Sequence, residues 1–391
     1  MPSHDIIVVG GGPAGFLAAR KAAENGVEAL LLEKEKILGK KVCAEAISGT
    51  GLRDCELTSR DFIVNEISGT RIFAPDETRN VEVSGELMGG YGGYVLDKRK
   101  YLESLADAAK NAGAEIRLGT NVVDIQRSEG SVKTIVKEND STQTLDSKIV
   151  IGCDGFNSMV ARKFFDISMM EFITCIQYKL EGCKIENERL LEFYLGNDVA
   201  PRGYLWAFPK GKGLANVGVG VRGKPAKPYL DKFLQRHPER FGTSKILEVA
   251  GAPVVVSGQL DKQVSDNVMI CGEAAGHVIP LTGAGIHAGA VAGRIAGRVA
   301  AEAIQENNLN EKKLSQYVVE FNEIWGERIG KSLKALRVIE QLSDNELNIM
   351  ADVLKGRDIL DIANGFDLER VAKVLLKHPI LAMKVAKALM R

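Results

Sequence analysis

Gly10, Gly12 and Gly15 stand at the spacing G-x-G-x-x-G. Glycines so placed let a backbone turn tightly and let a pyrophosphate approach N–H groups that side chains would otherwise cover. Eighteen residues after Gly15, Glu33 offers a carboxylate to ribose hydroxyls. The elements around these residues fit. DIIVV (5–9) reads as a short apolar strand. FLAARKAAENG, beginning at Phe16, carries small and apolar residues at helical spacing. VEALLLE, ending at Glu33, reads as a second strand. Strand, glycine turn, helix, strand and acidic residue together form a dinucleotide fingerprint, with Ala14 inside the turn. The fingerprint alone does not separate FAD from NAD.

A second set of residues raises a different chemistry. In RGYLWAFPKG (202–211), Tyr204, Trp206 and Phe208 fall on alternate positions before Pro209. Alternation at period two puts three rings on one face of a strand. Such a face is either ordinary sheet core or a wall for a flat cofactor or an apolar substrate.

The whole chain sets bounds. Its 391 residues suffice for two domains or one large one. Apolar residues make up 45% and charged residues 26%, at zero net charge, so nothing global points to nucleic acid. No apolar run reaches the length of a bilayer span, and the N-terminus lacks the flanks of a signal peptide. The six cysteines match no zinc or iron–sulfur spacing, so reduced thiols and no metal are expected.

Two later segments extend the dinucleotide reading. KIVIGCDGFNSMVAR (148–162) is a strand running into Asp154-Gly155, with Ser158 and Arg162 at a helix start. DNVMICGEAAGHVIPLTGAGIHAGAVAGRIAG (266–297) is a strand, a Gly-Glu step, a loop and a long small-residue helix. Both resemble signatures of glutathione-reductase-like flavoproteins. That resemblance implies a ribityl contact at Glu273, where the class usually has Asp, and flavin contacts at Gly285 and Ile286. No second strand–glycine–helix unit follows, so a dedicated nicotinamide domain is not expected.

G-Y-x-W-x-F-P-x-G over Gly203–Gly211 resembles the Y-x-W-x-F-P signature of the geranylgeranyl reductase family. KVCAEAIS (41–48) resembles its Cys-Gly-Glu-Gly-type loop, with Ala44 and Ala46 where glycine is common. GGYVLDKRKYLESLADAA (92–109) resembles its arginine segment, which places a flavin contact at Arg99 or, one register away, Lys98. The resemblance spans roughly residues 1–330. It implies FAD bound through Gly10, Gly12, Ala14, Gly15, Glu33, Cys43, Ala44, Ala46, Arg99, Val123, Asp154, Glu273, Gly285 and Ile286. It also implies a prenyl chain against Tyr204, Trp206, Phe208 and Pro209. Cys43 and Tyr204 are the candidate proton donors. His277 and His287 read as structural.

The expected fold is α/β. A Rossmann-type FAD-binding domain is built from 1–50, 95–165 and 260–310. An antiparallel β-sheet substrate domain comes from 51–94 and 166–259, and a helical region covers 311–391. The implied reaction is saturation of C=C bonds in geranylgeranyl chains of ether phospholipid precursors. The alternatives are another prenyl chain (a quinone tail or a chlorophyll-type ester), an oxygen-dependent flavin hydroxylase, and a flavin carrier without turnover. A nicotinamide, a ferredoxin or a deazaflavin would each serve as electron donor, and no motif selects among them. The expected location is cytoplasmic. RVAKVLLKHPILAMKVAKALMR (370–391) holds six basic residues and no acid. That composition suits peripheral contact with an anionic membrane, or equally a terminal helix docked on the core.

Overall fold

The computed structural model describes residues 4–87, 92–139, 141–375 and 382–384. Its central sheet grows from the most apolar segments. His4–Val9 lies between Ala29–Glu33 and Ser141–Gly152, parallel to both. Glu115–Leu118 extends one side and Val268–Ile270 the other, again in parallel. A strand buried on both faces reads as a continuous apolar run, which accounts for Ile6–Val9 and Leu30–Leu32. Thr120–Ser128 and Ser131–Glu138 form an antiparallel flap on the far part of Ser141–Gly152.

Two helices cover this sheet beside the glycine turn: Pro13–Glu24 and Ile286–Gln305. They approach too closely for any side chain between them. A Cβ at Gly293 would lie 2.1 Å from the Ala14 carbonyl oxygen, and one at Gly297 would lie 2.2 Å from that of Ala18. The stripe of small residues in the sequence is thus a helix–helix contact.

The second sheet has seven strands, in the order Lys245–Val255, Phe172–Glu181, Leu214–Val221, Tyr204–Gly211, Leu190–Tyr194, Gly69–Phe73 and Asn80–Ser84. Every pairing is antiparallel except Leu190–Tyr194 with Gly69–Phe73. One face is closed by Leu205, Ala207 and Val217 packing with Leu230 and Phe233 of the helix Lys227–Arg236. The other face carries Tyr204, Trp206 and Phe208 and packs with Ala44, Ala46 and Leu281. A small sheet of Ala46–Ser48, Gly93–Leu96 and Ile63–Ile67 bridges the two.

From Ile286 onward the described residues are mainly helical. No helix among them is long and apolar enough to cross a membrane. The start of the basic tail is docked. Arg370 pairs with Asp358 at 2.6 Å and Asp361 at 2.5 Å, and Val371 is buried with Leu354 and Ile362. Lys384 bonds Glu346 at 2.9 Å. Two of the six basic residues therefore serve internal ion pairs. Pro379, Leu381, Val385, Ala388 and Leu389 lie outside the described residues.

Candidate active site

The glycine turn has the shape a pyrophosphate needs. Gly10 adopts φ +107°, and a Cβ there would meet the Cys153 carbonyl oxygen at 2.4 Å. A Cβ at Gly15 would meet the Gly10 oxygen at 1.9 Å. At Gly12, by contrast, nothing lies within 4 Å of the added atom, so the turn faces open space there. The helix beginning at Pro13, with Ala14 in its first turn, carries no side-chain cap, and neither does the one beginning at Ile286 after Gly285. Uncapped first turns leave N–H donors and the positive dipole end for an anionic ligand. Glu33 closes the turn by accepting from the Gly11 N–H at 2.5 Å and the Glu35 N–H at 2.8 Å. These residues fit a bound dinucleotide.

Asp154 shapes its own loop. Its carboxylate accepts from the Ser158 hydroxyl and from the Met159 and Val160 N–H groups at 2.7 and 3.2 Å. Burial raises its pKa, and these donors act in the opposite direction. Glu273 sits in the short helix Gly272–Ala275, paired with Lys41 and accepting from the Val255 N–H at 3.3 Å. It thus stands where the glycine-turn elements meet the second sheet.

Positions 98 and 99 separate clearly. Arg99 points to solvent, its side chain 61% exposed, and bonds Glu103 at 2.8 Å one helical turn on. Lys98 turns inward and donates to the Lys41 carbonyl. Burial lowers the Lys98 pKa and Lys41 adds to the effect, against the opposing pull of Cys43 and Glu45. Lys98, not Arg99, is the residue that converges with the loop 41–46. The cause is helical phase, because the helix Lys98–Asn111 starts after the Asp97 cap and turns position 99 outward. Val123 is 45% exposed on the strand Thr120–Ser128.

Tyr204, Trp206 and Phe208 do share one face. Phe193 joins them, 5.2 Å from Tyr204 and 5.1 Å from Phe208 between ring centroids, both edge-to-face. Ile173, Cys175, Val256 and Leu336 complete the cluster, with Ala44 and Ala46 packed against it. The rings therefore face the cysteine loop. Pro209 follows Phe208, and its carbonyl accepts from Asn65 at 2.9 Å. Tyr204 donates to the Thr282 carbonyl of the loop leading to Gly283. Burial raises its pKa, so the phenol stays protonated. Burial likewise pushes the Cys175 thiol up to about 12.

The cysteine loop is held by polar side chains that sequence reasoning did not reveal. Gln177 donates to the Cys43 carbonyl at 3.0 Å. Asn216 donates to the Ala44 carbonyl at 3.3 Å and to the Glu45 carboxylate at 2.7 Å. Lys210 is buried against Glu45 and donates to the Leu96 carbonyl at 2.7 Å. Glu45 itself sits at φ +69°, a region that disfavours a side chain, so the bonds to its carboxylate help hold it there. Lys210 had a readable signal: the even positions that carry the rings continue onto it, and a lysine on an apolar face calls for an acid partner. Cys43 is partly exposed whereas the other five cysteines are buried, and all six are free.

The two histidines are structural. His277 accepts from the Gly272 N–H at 3.1 Å, bonds Gln263 at 2.8 Å and stacks on Phe321. His287 pairs with Asp54 at 2.6 Å and packs edge-on to Trp325.

An uncapped glycine turn on a parallel sheet, facing an aromatic sheet across a cysteine loop, defines an FAD-dependent oxidoreductase. Residues 5–162 match the family described as FAD dependent oxidoreductase, and residues 171–254 match the geranylgeranyl reductase catalytic domain. The chain is 36% identical to digeranylgeranylglycerophospholipid reductase 2 of Methanopyrus kandleri, over 99% of each chain. It is 38% identical to the digeranylgeranylglycerophospholipid reductase of Methanosarcina acetivorans, over 90% of this chain and 88% of that one. A geranylgeranyl bacteriochlorophyll reductase-like protein of Thermoplasma acidophilum superposes with a TM-score of 0.86 at 29% identity, over 97% and 99% of the two chains. The chain belongs to the geranylgeranyl reductase family, alongside the archaeal digeranylgeranylglycerophospholipid reductases.

Proposed function

We propose that this protein saturates the C=C bonds of geranylgeranyl chains in archaeal-type ether phospholipid precursors. The observation that carries the reading is the ring face of Tyr204, Trp206 and Phe208 turned onto the cysteine loop and the loop at Thr282–Gly283. Rigid rings recognise a flexible apolar chain by area and shape. In each saturation the π bond breaks, one carbon gains a hydride and the other gains a proton. The glycine turn, Glu33 and the two uncapped helix ends would hold FAD, which when reduced would supply the hydride. Gln177, Asn216 and Lys210 fix the loop beside it, and the apolar face keeps water from the alkene.

The proton is assigned to Cys43. Its sulfur lies 3.3 Å from the Glu45 N–H, a bond in which the sulfur accepts, so its own hydrogen is free to point elsewhere. Tyr204, the runner-up, has its hydrogen committed to Thr282. The seven-stranded sheet, with its strands inside 69–84 and 172–255, supports reading 51–94 and 166–259 as the substrate part, and the small sheet takes strands from both parts. A lipid substrate implies peripheral membrane contact from the cytoplasmic side. The donor that reduces the flavin is a nicotinamide, a ferredoxin or a deazaflavin.

A second reading, another prenyl chain such as a chlorophyll-type ester, is favoured by the name of the Thermoplasma neighbour. One experiment separates the readings. The flavin-loaded protein is reduced anaerobically with dithionite and mixed with a digeranylgeranylglyceryl phospholipid, and the product is weighed. Flavin reoxidation with a gain of two hydrogens per alkene is the expected result. Bound flavin with no mass change transfers the proposal to other prenyl substrates. A requirement for oxygen overturns it in favour of a hydroxylase.

A further inference from the structure

Gln177 lies on Phe172–Glu181 opposite Gly218, and Gly218 lies opposite Trp206 on the next strand. The missing side chain at 218 is what lets the indole cross that middle strand: a Cβ there would sit 2.3 Å from Trp206 Cζ2. The Trp206 N–H then reaches Gln177 Oε1 at 3.0 Å. Indole nitrogen can only donate, so this bond fixes the orientation of the amide. The Gln177 amide nitrogen consequently faces the Cys43 carbonyl, at 3.0 Å. Gln177 is 8% exposed, so neither bond has water as a ready substitute. Asn216 and Lys210 also grip the cysteine loop, but through Ala44 and Glu45. Gln177 is the side chain that joins Cys43 itself to the ring face.

We infer that Gln177 is a positioning residue. It sets the Cys43 thiol in register with the prenyl-binding face by tying the Cys43 peptide to the Trp206 ring. The role in turnover rests on the proposed reaction, with Cys43 as its proton donor. The positioning itself rests on the two bonds alone.

Because Cys43 is the one cysteine that is not buried, a thiol reagent reads its loop directly. The flavin-loaded full chain is treated with iodoacetamide, and the modification rate at Cys43 is followed by peptide mass. Wild type is compared with Q177M, Q177E and W206F. Q177M keeps the bulk and removes both bonds. Q177E keeps an acceptor for Trp206 but sets a carboxylate against the Cys43 carbonyl. Both are expected to speed Cys43 modification about tenfold and to lower kcat by a similar factor, with KM and the flavin spectrum near wild type. W206F leaves the Gln177 oxygen unpaired and moves modification in the same direction by less. A purely packing role would leave Q177E, the closest isostere, at the wild-type rate. A wild-type modification rate in Q177E, with flavin retained, overturns the inference whatever the rate in Q177M. C43A separates the two claims: full activity in C43A removes the proton-donor assignment, while the modification result still decides the positioning.

Discussion

Lys210 and Glu45 form an ion pair across 165 positions of chain, with side chains only 5% and 16% exposed. Removing one partner of a buried pair strands the other charge, at about 3–5 kcal/mol. E45L and K210M are therefore each expected to lower the midpoint of thermal or urea unfolding sharply. K210M combined with E45L is expected to recover most of the loss, because no charge is then left unpaired. Additive losses in the double variant would show that the pair does not act as a unit.

G218A tests the ring face without replacing a polar side chain, and it also strains the Trp206–Gln177 bond. Its added Cβ falls 2.3 Å from Trp206, so the indole must move. Overpacking of this kind costs about 1–3 kcal/mol. The expected outcome is a raised KM for the prenyl lipid with flavin affinity unchanged. An unaltered KM would place the substrate elsewhere.

His277 makes the Gly272–Glu273 turn sensitive to acid. Burial lowers its pKa from 6.5 to about 3, so the folded protein holds it neutral where the unfolded chain would protonate it. Between pH 6.5 and about 3 the unfolded state binds the extra proton. Stability therefore falls as pH drops through that window, by about 1.4 kcal/mol per pH unit. Protonation would also remove the acceptor of the Gly272 N–H. Unfolding measured against pH should show this slope in the wild type, with a shallower slope in H277N. Equal slopes would assign the acid sensitivity to other groups.

The proton-donor assignment is tested by a pair of substitutions. C43A is expected to reduce the rate of alkene saturation by about 10²–10⁴ if the thiol delivers the proton. Y204F should cost far less, since its lost hydrogen bond goes to Thr282. The rate should also lack any alkaline limb from Tyr204 up to pH 10, because burial raises that phenol above its ordinary value. The reverse ranking would transfer the role to Tyr204.

Some of this was legible in the chain because it is local. Gly10, Gly12 and Gly15 fall within six residues, between a strand and a helix that each announce themselves by period. The ring face was legible for the same reason, since alternation inside one strand fixes sidedness. The grip on the cysteine loop was not. Gln177 reaches Cys43 across 134 positions, Asn216 reaches Glu45 across 171, and Lys41 reaches Glu273 across 232. Isolated polar residues carry no periodic signal, and only the folded topology brings them together. Positions 98 and 99 show another limit of the sequence. A motif match supplied a basic residue, but helical phase decided that its neighbour Lys98 turns inward.

The glycine contacts of Gly293 and Gly297 with Ala14 and Ala18 have a bearing on biosynthesis. The helix Pro13–Glu24 packs closely against Ile286–Gln305, which is translated much later. Until that later helix emerges, the nascent chain holds an apolar helix face with no native cover. The nucleotide cradle can therefore close only once Ile286–Gln305 has been translated, and until then the unfinished chain presents a surface for a chaperone.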